Sequence, residues 1–318
     1  MADERTGRVG VALHRATVAD QLAGIELAES LGVPRVWLTT GGVGPDAMTL
    51  FAAAAVRTAR IGLGTAIVPV YPRHPLALVQ QALVVAALAP GRLRLGVGPS
   101  HKAPIEGTFG IPHQRPLGYL TEYVAILRGA LQQGTFDFEG RHFRVHGAVP
   151  APPGVPVLIS ALSPGAYRLA GKISDGALAW VCPMPYLRDE ALPALREGAA
   201  EAGRPAPPLV AHCFLAVHEA PGAVRTAARQ RLANYPRAPF YQEMFAHAGF
   251  PEAREGTLSE AMMDAVVVHG DEAAAAAGLR AYLDAGLDEV IASVLIIGDT
   301  PEERQASLER TLRLVATL

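Results

Sequence analysis

Residues 92–104 read RLRLGVGPSHKAP. His101 is the group here that could give or take a proton at modest cost, because imidazole titrates near neutrality. It could equally be a loop histidine bonded to a backbone carbonyl. Gly96 and Gly98 have the spacing of the first half of a dinucleotide fingerprint. The third glycine is missing, and no helix is expected to open here, because the next apolar periodicity begins only near Leu117. The glycines are therefore expected to let a flat ligand approach the backbone. Pro99 lacks an N–H and stiffens the turn, and Ser100 can donate a hydrogen bond. A second stretch, Ser160-Ala161-Leu162-Ser163-Pro164-Gly165, places Pro164 at the first position of a helix with Ser163 as its cap. The free N–H groups of such a helix start form an anion site. His14, just past the first strand, could line a substrate pocket. Trp180 could wall that pocket or belong to the core.

The bulk properties narrow the classes. The chain has 318 residues, half of them hydrophobic, and a formal net charge of −2. That is ample for a full core and gives no electrostatic case for nucleic acid. Cys182 and Cys213 are far apart in sequence, so no disulfide framework is indicated. The charged start, MADERTGRVGVALHR, has no secretory apolar region, and runs such as ALVVAALA at 82–89 are too short to span a bilayer. The histidines are not accompanied by clustered carboxylates, so no metal is expected. These features predict a soluble cytoplasmic protein.

The elements that must position these groups alternate. Strands are expected at 8–13, 35–39, 61–70, 92–98, 155–161, 177–182, 209–217 and 288–297. Helices are expected between them. One follows Thr17, with Val18, Leu22, Ile25 and Ala28 on one face and Asp20 in a capping box; others cover 46–59 and 76–89. A further one starts near Leu117 with Leu117, Leu120, Val124, Leu127 and Leu131 as its stripe. Residues 163–171 and 186–203 follow, the latter with Pro193 as a kink. Residues 134–147 read as a hairpin, and the stretch to about 285 as helical. The last helix opens with Thr300, Pro301 and Glu303. Eight such repeats predict one α/β domain over 1–318, a single (β/α)8 TIM barrel with insertions at its C-terminal face. The insertions are 99–116, 134–154 and 235–265. The last, rich in aromatics and Met, would cover the barrel mouth or contribute to a dimer.

In order along the chain, IGLGTAIVPVYPRHPLALVQQA, GRLRLGVGPSH, EGRHF and VPVLISALSPGAYRLAGKISDGALAW resemble the bacterial-luciferase-like superfamily. They are closest to its deazaflavin-dependent oxidoreductases, which use coenzyme F420. The resemblance is clear from residue 8 to about 182 and loose beyond. It implies a bulge at Thr65-Ala66-Ile67 with a cis Ala66–Ile67 peptide against the ring. It implies the cofactor phosphate at Ser160–Gly165 and the ring edge along Gly98, Pro99 and Ser100. A glutamate of sugar-phosphate-oxidising relatives matches His101. Thr39, on the cofactor side, and Thr40, on the substrate side, stand where many relatives carry an acid or histidine. That substitution puts the sugar-phosphate chemistry in doubt. The implied activity is hydride transfer between coenzyme F420 and a small organic substrate, by a homodimer that uses neither nucleic acid nor membrane. An FMN-dependent monooxygenase is the alternative, and a non-catalytic flavin-binding protein is an alternative of another class.

Overall fold

Each of the eight apolar runs read as a strand becomes one stave of a closed parallel barrel. The structure, a computed structural model, describes residues 7–318. The expectation about the charged start therefore falls partly outside the described residues. The first half of the chain runs β1 (Val9–Ala12), α1 (Val18–Ser30), β2 (Arg35–Leu38), α2 (Ala47–Ala55), β3 (Gly62–Thr65), β4 (Val68–Pro69), α3 (Pro75–Leu88), β5 (Leu93–Gly98), α4 (Lys102–Phe109) and α5 (Pro116–Arg128). A short hairpin, β6 (Phe138–Glu139) and β7 (Arg144–Val145), leads to β8 (Val157–Ala161), α6 (Pro164–Ile173), β9 (Ala177–Ala179), α7 (Met184–Tyr186) and α8 (Leu192–Glu201). Then come β10 (Leu209–Val217), α9 (Pro221–Leu232), α10 (Pro239–His247), α11 (Glu260–Asp264), β11 (Val267–Gly270), α12 (Glu272–Asp284), β12 (Glu289–Val294) and α13 (Pro301–Val315).

The staves run β1-β2-β3-β5-β8-β9-β10-β12, and β12 pairs back onto β1 from Val9↔Val290 to Ala12↔Ser293. Alternate residues of the staves point inward, so Ala12, Trp37, Leu158, Leu178, Val210 and Ile291 form a closed interior cluster below the mouth. The opposite faces of the strands pack on the helices in the larger outer core. Helix starts are set locally. Thr17 accepts from Asp20 N–H, Ser163 from Ala166 N–H, and Thr300 and Glu303 form a reciprocal capping box.

Several boundaries differ from the sequence expectation for tertiary reasons. Helix α2 stops at Ala55 rather than 59, because the Glu29 carboxylate takes the N–H groups of Ala59, Arg60 and Ile61, each at 2.8 Å. The third stave breaks between Thr65 and Val68, and the sixth ends at Ala179, since Val181 turns to φ 55°. A helix does open after the glycine stretch. Helix α4 starts at Lys102, its sequence KAPIEGTF being a poor helix former held by the buried Ile105. The αL residue Gly110 ends it, with Ile111 N–H on the Ile105 carbonyl. Strand β11 lies in a stretch expected to be helical; its Val267 and Val268 pair with the free upper end of β10. Val18 and Leu117 are exposed rather than in their helices' apolar stripes. The π-turn Leu187–Ala191 precedes Pro193 and absorbs its missing N–H. Segments 99–116 and 235–265 both reach the barrel mouth. The 134–154 hairpin instead runs up the outside of α5, where Glu122 receives the N–H groups of Arg141, His142 and Phe143.

Candidate active site

A cavity of about 750 Å3 opens at the C-terminal ends of the staves. It gathers most of the expected residues. His14 comes from the first stave, Thr39 and Thr40 from the second, and Ala66 and Ile67 from the third. Pro99, Ser100 and His101 follow the fourth, Ser160, Ala161, Leu162 and Ser163 the fifth, and Trp180 the sixth. The Ala66–Ile67 peptide is cis.

Three expected residues do not reach the cavity. Thr65 is fully buried, its hydroxyl donating to the Gly96 carbonyl and accepting from Gly96 N–H, both at 2.8 Å. It replaces the strand pairing that the bulge interrupts. Gly98 serves close packing within the protein rather than ligand approach: a Cβ there would lie 2.1 Å from Ser160 Oγ. Gly96 is the same case, since a Cβ at that position would lie 2.1 Å from the Thr65 carbonyl oxygen. Gly165 lies on the first turn of α6 with open space around it, between the lining residues Ser163 and Ala166, without lining the cavity itself. Thr40 lines the cavity, but its hydroxyl is occupied by Ala47 N–H at 3.1 Å.

The titratable groups around the cavity are all basic or aromatic; among the described residues no carboxylate lines it. His14 Nε2 stands 3.4 Å from the Thr39 hydroxyl. Desolvation by the cavity walls, reinforced by Arg231, lowers its pKa to about 4. His101 is also held below the ordinary histidine value, by burial first and then by His113. Among the described residues neither ring nitrogen of His101 is engaged by another side chain, so both are open to a ligand.

Behind Trp180 lies a group that the sequence reading missed. His212 is fully buried in the seventh stave, with its Nδ1 accepting from Val181 N–H at 3.2 Å. That bond leaves the proton on Nε2, which donates to Ser293 Oγ at 2.8 Å. Burial first, then the proximity of His14 and Arg231, holds the His212 pKa well below the ordinary histidine value and the ring neutral. Its ring stacks under Trp180 at 3.8 Å. The indole N–H in turn donates to the Tyr235 hydroxyl at 2.7 Å. Tyr235 meets Tyr241 edge-on at 4.7 Å, and Tyr241 lies 5.5 Å from His101. One aromatic chain thus joins the sixth stave to the residue after the fourth. Trp180 acts as cavity wall through this chain, and Tyr235, Phe240 and Tyr241 bring segment 235–265 onto the mouth.

Also missed were His113, Arg115, Gln230 and Arg231, all lining the cavity. No local signal marks them: His113 and Arg115 sit in a loop, and Gln230 and Arg231 on α9 beside its buried stripe of Val224, Ala228 and Leu232.

The arrangement defines a parallel-barrel protein with a ring-sized cavity at the C-terminal face of its staves, lined by no carboxylate among the described residues. The chain belongs to the luciferase-like monooxygenase family, whose model matches residues 5–289. Among curated relatives it is similar to an F420-dependent glucose-6-phosphate dehydrogenase of Nocardia farcinica, 35% identical over 182 residues. The match spans 53% of this chain and 53% of that one, so the chain spans about half the length of this relative. In fold it is similar to a coenzyme F420-dependent tetrahydromethanopterin reductase from Methanopyrus kandleri, with a TM-score of 0.76 and 20% identity over 96% of this chain and 98% of that one. It is also similar to the oxygenating constituent of 3,6-diketocamphane monooxygenase of Pseudomonas putida, solved with FMN. The TM-score there is 0.74, with 16% identity over 98% of this chain and 97% of that one.

Proposed function

We propose that the chain is an F420-dependent oxidoreductase, acting as one barrel unit on a small organic substrate. The observation that carries this is the composition of the cavity. A flat wall at Ala66–Ile67, a helix N-terminus at Ser163–Pro164 and an unengaged imidazole at His101 open into one space that no carboxylate among the described residues lines. These residues fit a planar anionic cofactor. The named relative supports the deazaflavin over FMN.

When bound, the deazaflavin supplies a ring carbon that accepts or donates hydride. The chain's own residues do the rest. Ala66 and Ile67 support one face of the ring. Ser163 and the Gly165 N–H at the start of α6 hold the phosphate; the Ala166 N–H is taken by the serine hydroxyl, which keeps its own proton free to donate. Trp180, Tyr235 and Tyr241 exclude water from the opposite side. His101, neutral at pH 7 because burial lowers its pKa, takes the proton of a substrate hydroxyl on a free ring nitrogen in the oxidative direction. His14 and Thr39 border the substrate space. The absence of an acid at Thr39 and Thr40 argues against sugar phosphate as the substrate. Val84 and Leu88, exposed on α3, and Val56, exposed beyond the end of α2, support the homodimer.

Titration of the apo-protein with coenzyme F420 and with FMN tests the reading. At least tenfold tighter binding of F420 is expected; tighter binding of FMN would overturn it in favour of the monooxygenase.

A further inference from the structure

The sixth stave ends on a strained residue. Val181 lies in the left-handed region at φ 55° and is fully buried. A β-branched side chain crowds its own backbone there, so surrounding contacts must hold the conformation. One that does so is the Val181 N–H, which donates to His212 Nδ1 at 3.2 Å. The turn follows directly on Trp180 and ends the stave beneath the indole.

His212 holds the same corner from a second direction. Its ring stacks on the indole at 3.8 Å with an interplanar angle of 28°. It meets Phe214, two residues along its own strand, edge-on at 5.1 Å. Its Nε2–H donates to the Ser293 hydroxyl on the eighth stave at 2.8 Å, so the imidazole cannot turn without losing a buried bond. His212 and Ser293 do not line the cavity, whereas Trp180 and Phe214 do. The histidine therefore stands behind two aromatic wall residues. His212 covers one face of the indole, and Tyr235 takes its N–H at 2.7 Å. What Trp180 offers the cavity is its other face. The arginines of the cavity, Arg115 and Arg231, are exposed, whereas Leu178, Phe214 and Tyr241 are buried, so the deeper wall beside Trp180 is apolar.

We propose that His212 is a positioning residue: it fixes the Trp180 indole as a flat platform, and the platform selects a planar apolar group of the substrate, an aromatic ring or conjugated system. Flat rings gain most from a rigid aromatic face, because neither partner has to be ordered on binding. His101 lies 5.5 Å from Tyr241 at the end of the same wall, so an alcohol or carbonyl next to the substrate's ring would face the imidazole. The inference rests on the cavity being the substrate site and holds for either cofactor.

The chain has two tryptophans, so its indole N–H groups give two NMR signals, which Trp180→Phe assigns. Trp37 is buried inside the barrel and reports on the intact fold. The probes are 1-phenylethanol and 2-octanol, secondary alcohols with the same number of carbons, titrated into the protein with and without coenzyme F420. The aromatic alcohol should move the Trp180 signal and bind at least about threefold tighter, although the linear one is the more apolar. His212→Leu keeps most of the volume and removes both hydrogen bonds. It should shift the Trp180 signal, leave the Trp37 signal in place and erase the preference. His212→Asn keeps an acceptor for the Val181 N–H and should restore much of both. If His212→Leu loses the Trp37 signal, Ser293→Ala decides, since it removes only the Nε2 partner; it should move the Trp180 signal alone and weaken the preference. The inference is overturned if the wild type binds neither alcohol or prefers 2-octanol, if the Trp180 signal stays fixed in the folded variants, or if the preference survives in them. Should F420 fail to bind while these shifts appear on the apo-protein, the cofactor reading fails and the platform stands.

Discussion

Replacing Tyr235 by Phe removes one atom from the aromatic chain and leaves every ring in place. The Trp180 indole N–H then loses its acceptor at 2.7 Å, while its stack on His212 at 3.8 Å and the Tyr235–Tyr241 edge contact at 4.7 Å persist. An unpaired buried donor costs about 1–3 kcal/mol, and because both residues are only half-buried the lower part of that range, about 1–2 kcal/mol, applies here. Residues 235–247 form two short helical pieces at the rim, so the loss should appear as local opening rather than global unfolding. At about 1.4 kcal/mol per decade this is roughly a 5–30-fold loss of amide-exchange protection. Hydrogen exchange read by mass spectrometry measures it, with a peptide from β10 as the reference for global opening. Trp180→Phe removes the donor instead, and the double variant should cost no more than either single one. Unchanged exchange over 235–247, an equal change in β10, or additive effects in the double variant would each refute the reasoning.

His101→Gln should cut turnover by about 10²–10⁴-fold while leaving cofactor affinity nearly intact. The pKa of His101 lies below its ordinary value, so wild-type oxidation should hold at pH 7 and fall only as pH drops further below 6.5. The variant should lack that acid limb; a retained limb assigns the proton to another group, such as His14. Ser163→Ala should weaken binding of the phosphorylated cofactor by about 1–2 kcal/mol and leave the phosphate-free core unaffected, as measured by titration. Gly96→Ala would drive a Cβ to 2.1 Å from the Thr65 carbonyl oxygen, a backbone atom that cannot swing away. It should cost about 3 kcal/mol, lowering the melting temperature by roughly 4–5 °C. Gly98→Ala meets the Ser160 hydroxyl at the same 2.1 Å and should cost less, since that group can rotate.

Much of this protein was legible in the sequence because the signals are short-range. Strand β10 spans 209–217 as expected, since it is a continuous apolar run bounded by Pro208. The caps at Ser163 and Thr300 stand as read, because a cap joins residues three apart; Thr17 also caps its helix, but the expected box is not closed, since the Asp20 carboxylate accepts from the Thr17 hydroxyl rather than from its N–H. Thirteen of the expected site residues line one cavity, since barrel strands deliver their C-terminal ends to a common face. The ordered motifs located the bulge at Ala66–Ile67. Closure of the barrel decided the rest. Thr65 looks like a ligand residue until Gly96, on the neighbouring stave, takes both of its hydrogen-bonding capacities. The two glycines suggest room for a ligand until the Thr65 carbonyl and Ser160 fill it. Strand β11 forms because the upper end of β10 offers an open edge, and α4 forms because Ile105 finds the core. His212, Trp180 and Tyr235 are separated by dozens of residues and meet only when the sixth and seventh staves stand side by side. His113 is one more loop histidine in the sequence. Its unpaired nitrogen exists only because Tyr71 packs on the ring and Glu106 holds the backbone N–H at the cavity wall, and such contacts leave no periodic trace in the chain.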